Sequence, residues 1–397
     1  MNATIFNKEH PEWGSATIPL PIPDEEYAHC LEQLEQLGIG GVTEQDCTVE
    51  RIDGDLTSLK ALEGQTVNVD ELDMLAHILD MKIDDGDAPK FEAMLYAMKI
   101  TDICEMLELA LRCERSTVIT DFSMLRETGI SHFLTINGGG APASEVEKQD
   151  GVKIMTDLIA SGNGVVTPYG VVYDNDIELT LEYAGGDLPV VAYNTPLVEV
   201  SLTPTVSPQE REGLYLILPM PEKRLERMLA RAGFETAGDY TVSCEYMELP
   251  PEVNKVLDGH EDELFEINRL CQIVEPMDGP EQERLAAAVL FAQPEYPSQV
   301  RRLAENLDQF DFIPHVHTPE EYGKYMIQKS GHFDFDENLI GFYDYKGYGE
   351  QRTAMDAGEF VALGYICYTG TLSLDELMMG DPAEQEQTEG PTMGGMA

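Results

Sequence analysis

Three histidines, His315, His317 and His332, are the residues whose type and spacing first suggest metal chemistry. At i and i+2 the first two would share one face of a strand. No carboxylate or cysteine pattern completes a recognised ligand set around them, and ordinary core or surface histidines account for them more simply. Calcium is suggested by Asp174-Asn175-Asp176-Ile177-Glu178 and by Asp334-Phe335-Asp336-Glu337-Asn338. An EF-hand loop needs glycine at its sixth position, and that position holds Leu179 or Leu339 here, so both fail. Gly162-Asn163-Gly164 runs on into Val165-Val166 rather than into Lys and Ser/Thr, which removes a phosphate cradle. No nucleophile elbow and no Cys/His signature appears. The expectation is a protein that is not an enzyme and carries neither cofactor nor metal.

The chemistry that the residue types do offer is electrostatic. Seventy-four acidic residues face twenty-five basic ones in 397 residues, a formal net charge of -49. Like charges repel across a compact surface, and solubility needs a net charge of only about 2–8 on a small domain. Three explanations stand side by side: a solvated surface, adaptation to high salt, and imitation of nucleic acid. Duplex DNA carries one negative charge per 1.7 Å, so the excess would cover roughly 80 Å of duplex as an upper bound. Direct nucleic-acid binding is excluded, since no basic stripe is present to neutralise phosphates.

A hydrophobic fraction of 43% gives the chain the means to fold. Its seven cysteines are odd in number and none has CxxC spacing, which fits reduced, buried thiols in a cytoplasmic protein. No stretch approaches the ~18 apolar residues of a membrane span.

The elements that must carry this charge read as small α+β units. After the extended run Leu20-Pro21-Ile22-Pro23, Asp24 can cap a helix whose stripe is Tyr27, Leu31, Leu34 and Leu37, and Gly38 stops it. Asp70 opens a second helix with Leu72, Leu75, Ile78 and Leu79 inward. The same order returns later: Leu218-Pro219-Met220-Pro221 precedes a helix with Leu225, Met228 and Leu229 inward and Gly233 at its end. Thr241-Val242 then echoes Thr48-Val49, and Asp262-Glu263-Leu264 echoes Asp70-Glu71-Leu72. This predicts a diverged tandem repeat. Residues from about Gly138 to Pro204 are rich in Gly, Val, Thr and Tyr and read as strands and turns. Thr318-Pro319-Glu320-Glu321 is a helix start with a capping box, and Ser373 to Glu376 is another.

The expected architecture is therefore α+β: an elongated multi-domain chain of small α+β units with a β-rich central module. Its parts are 1–137, the first copy; 138–211, the β-rich connection; 212–314, the second copy; 315–372, a C-terminal domain; and 373–397, a short helix and a mobile acidic tail.

The most informative stretch contains Leu339, Phe342, Asp344, Tyr345, Tyr348 and Gly349, followed by Gly364-Tyr365-Ile366. On packing grounds alone, aromatics at 342, 343, 345 and 348 would seat a helix on a small sheet. The stretch also resembles the C-terminal part of ArdA antirestriction proteins, which carry Leu-x-x-Tyr/Phe-x-Asp-Tyr-x-x-Tyr/Phe-Gly and then Gly-Tyr-Ile. Leu218-Pro219, Glu266-Ile267-Asn268 and Glu321-Tyr322-Gly323 are similar in order and spacing, so the resemblance covers about 212–369. Residues from Trp13 to Thr135 look like a diverged version of the family's first portion, anchored on Val69-Asp70-Glu71-Leu72. The chain departs from short members in its length, its middle module and Lys346, where an acid is common, and it looks like the long forms on conjugative elements of Gram-positive bacteria.

The resemblance implies a stoichiometric DNA mimic that occupies the groove of a type I restriction–modification enzyme, at its specificity and methyltransferase subunits. A homodimer is implied as well, unless the tandem repeat supplies both halves in one chain. The acids expected to stand in for phosphates are Glu320, Glu321, Asp334, Asp336, Glu337 and Asp344; Leu339, Phe342, Tyr345, Tyr348, Gly349, Gly364 and Tyr365 are the accompanying structural residues. Three rivals remain. The target could be another DNA-binding defence protein such as a CRISPR effector; the chain could be an acidic scaffold; or it could be a metal enzyme built on His315 and His317.

Overall fold

The computed structural model describes residues 1–84, 86–177, 183, 185–206, 213–258 and 263–380. The tail from 381 on, Glu178 of the first calcium candidate and Asp262 of the repeat lie outside them. Among the described residues no helix is long and apolar enough to cross a membrane. The fold is α+β, with many helices around several small sheets.

The chain forms two compact units, Met1–Val191 together with Lys223–Glu235, and Ala192–Glu222 together with the chain from Thr236. The first unit opens with β1 (Asn2–Asn7), β2 (Ser15–Pro19), α1 (Tyr27–Gln36), β3 (Cys47–Asp53), β4 (Thr66–Val67) and α2 (Val69–Asp84). It continues with α3 (Ala88–Met98), α4 (Ile103–Arg112), β5 (Thr117–Ile119), α5 (Leu125–Ile136) and the single turn α6 (Ala143–Val146). It ends with α7 (Gly151–Ala160), β6 (Val165–Thr167) and β7 (Gly170–Tyr173). The second unit begins with β8 (Val198–Pro204) and β9 (Leu214–Leu218). The chain then gives nearly all of α8 (Glu222–Arg231) to the first unit. It resumes with β10 (Tyr240–Met247), α9 (Pro251–Leu257), α10 (Leu264–Val274), α11 (Gly279–Ala292), α12 (Pro297–Glu305) and β11 (Phe310–Pro314). The last elements are α13 (Pro319–Gln328), α14 (Tyr345–Asp356), β12 (Glu359–Val361), β13 (Gly364–Tyr368) and α15 (Leu374–Met379).

Local chemistry accounts for many of these boundaries. Asp102 caps α4 by accepting the N–H groups of Cys104 and Glu105, and Ile103, Met106, Leu107 and Ala110 form its buried stripe. Thr318 caps α13, and Ser373 and Glu376 close a reciprocal capping box on α15. Gly38, at φ 67°, takes the left-handed turn that ends α1. Asp24 differs from expectation: residues Asp24–Glu26 form a 3-10 turn, and its carboxylate serves an arginine of α8 rather than the start of α1.

The two halves repeat in topology. In the sheets β2-β1-β3-β4 and β10-β8-β9 the first strand of each half lies between its second and third. Both third strands bulge at a glutamate. Thr4 pairs with Arg51 and Ile5 with Val49, leaving Glu50 over; Glu199 pairs with Tyr246 and Val200 with Cys244, leaving Glu245 over. Asp73 on α2 accepts the Ile22 N–H at 2.7 Å, and Asn268 on α10 accepts the Met220 N–H at 2.9 Å. These two anchors match Leu72 and Leu75 with Ile267 and Leu270, one helical turn away from the match that apolar spacing suggests. An amphipathic stripe recurs every turn and cannot fix its own register; a buried polar contact can.

The repeat also runs further than expected. Sheet β5-β7-β6 with α5 and α7 has the same order as β11-β13-β12 with α13 and α14. Ile119 faces Val171 in one, and Ile313 faces Tyr365 in the other. Segment 138–211 is thus shared out: α7, β6 and β7 complete the first copy, while β8 opens the second. Both helix pairs cross on glycines. A Cβ on Gly129 would stand 2.0 Å from the Gly151 carbonyl oxygen, and one on Gly323 would stand 1.9 Å from that of Tyr345.

Candidate functional site

The fold turns several arginines inward. Helix α8 presents Arg224, Arg227 and Arg231 on one face, at i, i+3 and i+7. Arg224 donates to Asp24 at 2.9 Å and to Asp73 at 3.1 Å, with its guanidinium 4.3 Å from the centre of the Tyr27 ring. Arg227 grips both oxygens of Asp70 at 2.8 and 2.9 Å. Arg231 donates to Glu71 at 3.0 Å, and Tyr183 donates its hydroxyl to the same carboxylate oxygen at 2.7 Å. Burial pushes Asp73 above the usual carboxylate range, against the pull of Arg224. In the second unit Arg269 forks onto Glu222 and reaches Glu266, and Arg301 joins Glu266 to Glu305. These arginines are thereby paired with half-buried and buried acids, while the exposed cations are mostly lysines such as Lys8, Lys60, Lys148 and Lys346, outnumbered by carboxylates.

The six acids singled out from the sequence are all exposed. Glu320 and Glu321 sit in the first turn of α13. Asp334, Asp336 and Glu337 lie in the connection from α13 to α14, and Asp344 caps α14. Three of them also hold backbone. Glu321 accepts the N–H of His317 at 2.8 Å, a bond that lowers its pKa. Asp336 accepts from Asn338 and Asp344 from Gly347, each at 2.9 Å. The return bond from Glu321 goes to the residue before the Thr318 cap, one position earlier than in the usual box.

Sequence reasoning missed a second set of acids, on the strands and just past the end of β10. Glu199 on β8 accepts the Tyr215 hydroxyl, Glu245 at the bulge of β10 accepts Ser201 Oγ at 2.7 Å, and Glu248 accepts the Tyr246 hydroxyl at 3.1 Å. The bond to Glu199 pushes Tyr215 up to about 12. Alternation along the strands was their signal: Val198, Val200 and Leu202 face inward, so Glu199 and Ser201 face outward.

The accompanying structural residues divide. Tyr365 is buried and stacks on Tyr322 with ring centroids 3.9 Å apart, and Tyr348 packs against the same cluster. Tyr322 donates its hydroxyl to Asp356 at 2.7 Å. Gly349 and Gly364 are required by close approach: a Cβ would meet the Pro319 oxygen at 1.7 Å and the Ile313 oxygen at 2.3 Å. Tyr345 accepts from Gln328 Nε2 at 2.8 Å. Phe342 and Leu339 do not pack as expected. Phe342 is 86% exposed and Leu339 45%, because they fall on a 3-10 turn ahead of α14 rather than on the helix itself.

Other candidates for chemistry are weaker. His315, His317 and His332 are exposed, and among the described residues no three His, Cys, Asp or Glu side chains gather in a way that could hold a metal ion. None of the seven cysteines is in a disulfide, and burial holds Cys104 and Cys113 up to about 12 and Cys367 up to about 11, which disfavours thiolates. A cavity of about 510 Å³ lies beside β11 and β13, but its walls mix Arg352 with Asp356 at 2.9 Å and offer no single sign of charge.

No known protein family matches this chain, and no curated protein matches its sequence.

Proposed function

We propose that this chain is an acidic mimic of duplex DNA, an antirestriction protein of the ArdA type. It binds the DNA-binding groove of a type I restriction–modification enzyme, at the specificity and methyltransferase subunits, and excludes DNA stoichiometrically in the cytoplasm without catalysing a reaction. The observation that carries this reading is the disposition of charge: a net -49 on a folded chain whose arginines are largely committed to buried or half-buried acids. A groove lined with Lys and Arg attracts such a surface at long range, and salt screens the attraction.

Carboxylates held on capped helices and on strands are ordered before binding, as phosphates are along a duplex. A folded mimic also avoids the bending energy that DNA must supply in a distorting groove. The two copies share one topology, and on this reading one chain would supply what two short protomers do. The test is titration of the purified protein into a type I enzyme holding labelled target DNA, at low and moderate salt. Stoichiometric displacement that weakens as salt rises supports the proposal; no displacement at low salt sinks it.

A further inference from the structure

The α13–α14 connection carries something that a phosphate backbone does not. Phe342 is 86% exposed, Ile340 50%, Phe333 49% and Leu339 45%, within ten residues. The turn that presents them is well held. Asp336 accepts both the N–H and the side-chain amide of Asn338 at 2.9 Å, and Leu339 N–H donates to the Asp336 carbonyl at 2.9 Å. In the same connection Phe335 lies tilted against Tyr343, Tyr343 against Tyr345 and Phe333 edge-on to Tyr348, at 5.6, 5.7 and 5.6 Å between centroids. A backbone turn held in this way has less ordering left to lose on binding, which favours the apolar side chains it presents as anchors at an interface.

The first copy lacks this device. The equivalent connection from α5 to α7, residues 137–150, reads Asn-Gly-Gly-Gly-Ala-Pro-Ala-Ser-Glu-Val-Glu-Lys-Gln-Asp and has no aromatic. Both helix pairs cross on glycines at backbone distance, with the aromatic connection and without it. The apolar turn is thus an addition to the fold and not a condition of it.

Its surroundings select the partner. Exposed Asp334, Asp336, Glu337 and Asp344 flank the apolar residues along the chain and outnumber the exposed Lys329 and Lys346 that bracket the connection, so the complementary surface is basic around an apolar recess. We infer that the turn Glu337–Phe342 is a hydrophobic anchor that seats in a recess within the basic groove of the target protein. This rests on the mimic reading and deepens it. The acids would give attraction to any basic groove, and the anchor would give preference for one that has the recess.

Salt separates the two contributions, because screening weakens ion pairing and leaves apolar burial intact. The experiment is DNA displacement from the type I enzyme across a salt series, comparing the unaltered chain with a double variant, Ile340→Ser with Phe342→Ser. Expected is a displacement affinity about tenfold weaker or more at every salt, with an unchanged slope of log affinity against log salt, as fits loss of an anchor without loss of charge. Leu339→Ser, checked by its melting temperature, replaces the double variant if that one unfolds early. Equal displacement by parent and variant overturns the inference. So does a fall in sedimenting mass in the variant, which would assign the patch to pairing between copies of this chain. If the unaltered chain displaces nothing at low salt, the mimic reading itself fails and the anchor falls with it.

Discussion

Asp73 and Asn268 hold the same place in the two copies, each accepting the N–H of the residue after a Leu-Pro pair, at 2.7 Å from Ile22 and 2.9 Å from Met220. They differ in what else they meet. Asp73 faces Arg224, whereas Asn268 returns its own amide to the Met220 carbonyl at 2.8 Å.

Exchange of the two side chains should therefore be asymmetric. Asn268→Asp sets a buried carboxylate against a carbonyl oxygen with no cation, and a loss of about 3 kcal/mol is expected in urea unfolding at neutral pH. Asp73→Asn keeps the bond to Ile22 and should cost less. Because burial raises Asp73, its ionisation is less favourable folded than unfolded, so its contribution favours the native state at low pH and is lost as pH rises. The stability of Asp73→Asn relative to the parent should accordingly improve between about pH 4 and pH 7. A gap that widens against the variant with rising pH would contradict this.

Arg231 and Glu71 are each 1% exposed at the side chain. Arg231→Ala strands a carboxylate, and a loss of about 3–5 kcal/mol is expected. Added salt should barely change that loss, since the pair is buried. Melting curves at two ionic strengths check both statements.

Alanine at Gly323 or Gly349 places a Cβ within 2 Å of a backbone oxygen that cannot move aside independently. Either substitution should cost about 2 kcal/mol or more, as should Gly129→Ala and Gly151→Ala in the first copy. Gly341→Ala, where nothing lies within 4 Å, is the control and should be near neutral. Equal stability of Gly323→Ala and Gly341→Ala would refute the crossing.

Single neutralised acids should hardly alter DNA displacement. Asp344→Asn keeps an acceptor for the Gly347 N–H and should be silent in both inhibition and folding. Asp344→Ala should cost about 1 kcal/mol through the lost cap. Joint replacement of Glu320, Asp334 and Glu337 by their amides should flatten the salt slope by up to about 0.9 per lost contact. A single acid whose removal abolishes inhibition would point instead to catalysis or metal binding.

Much of this molecule was legible in its residues, because the legible features are local or compositional. The acid excess needs only counting, and the caps at Thr318 and Ser373 act within four residues. The outward position of the six chosen acids is what their charge favours, although buried Asp70, Glu71 and Asp73 show that charge alone does not decide it. The repeat could be seen but not its extent, since β5–β7 and β11–β13 share a topology with few matching side chains. Tertiary structure alone decided which cations are buried: Arg224 and Asp73 meet across 151 residues, and no spacing rule links them. It also decided why Gly349 must be glycine, which depends on a second helix passing at backbone distance, and why Phe342 stands in water. Apolar character says that a side chain gains by burial; it does not say whether this chain or another protein will bury it.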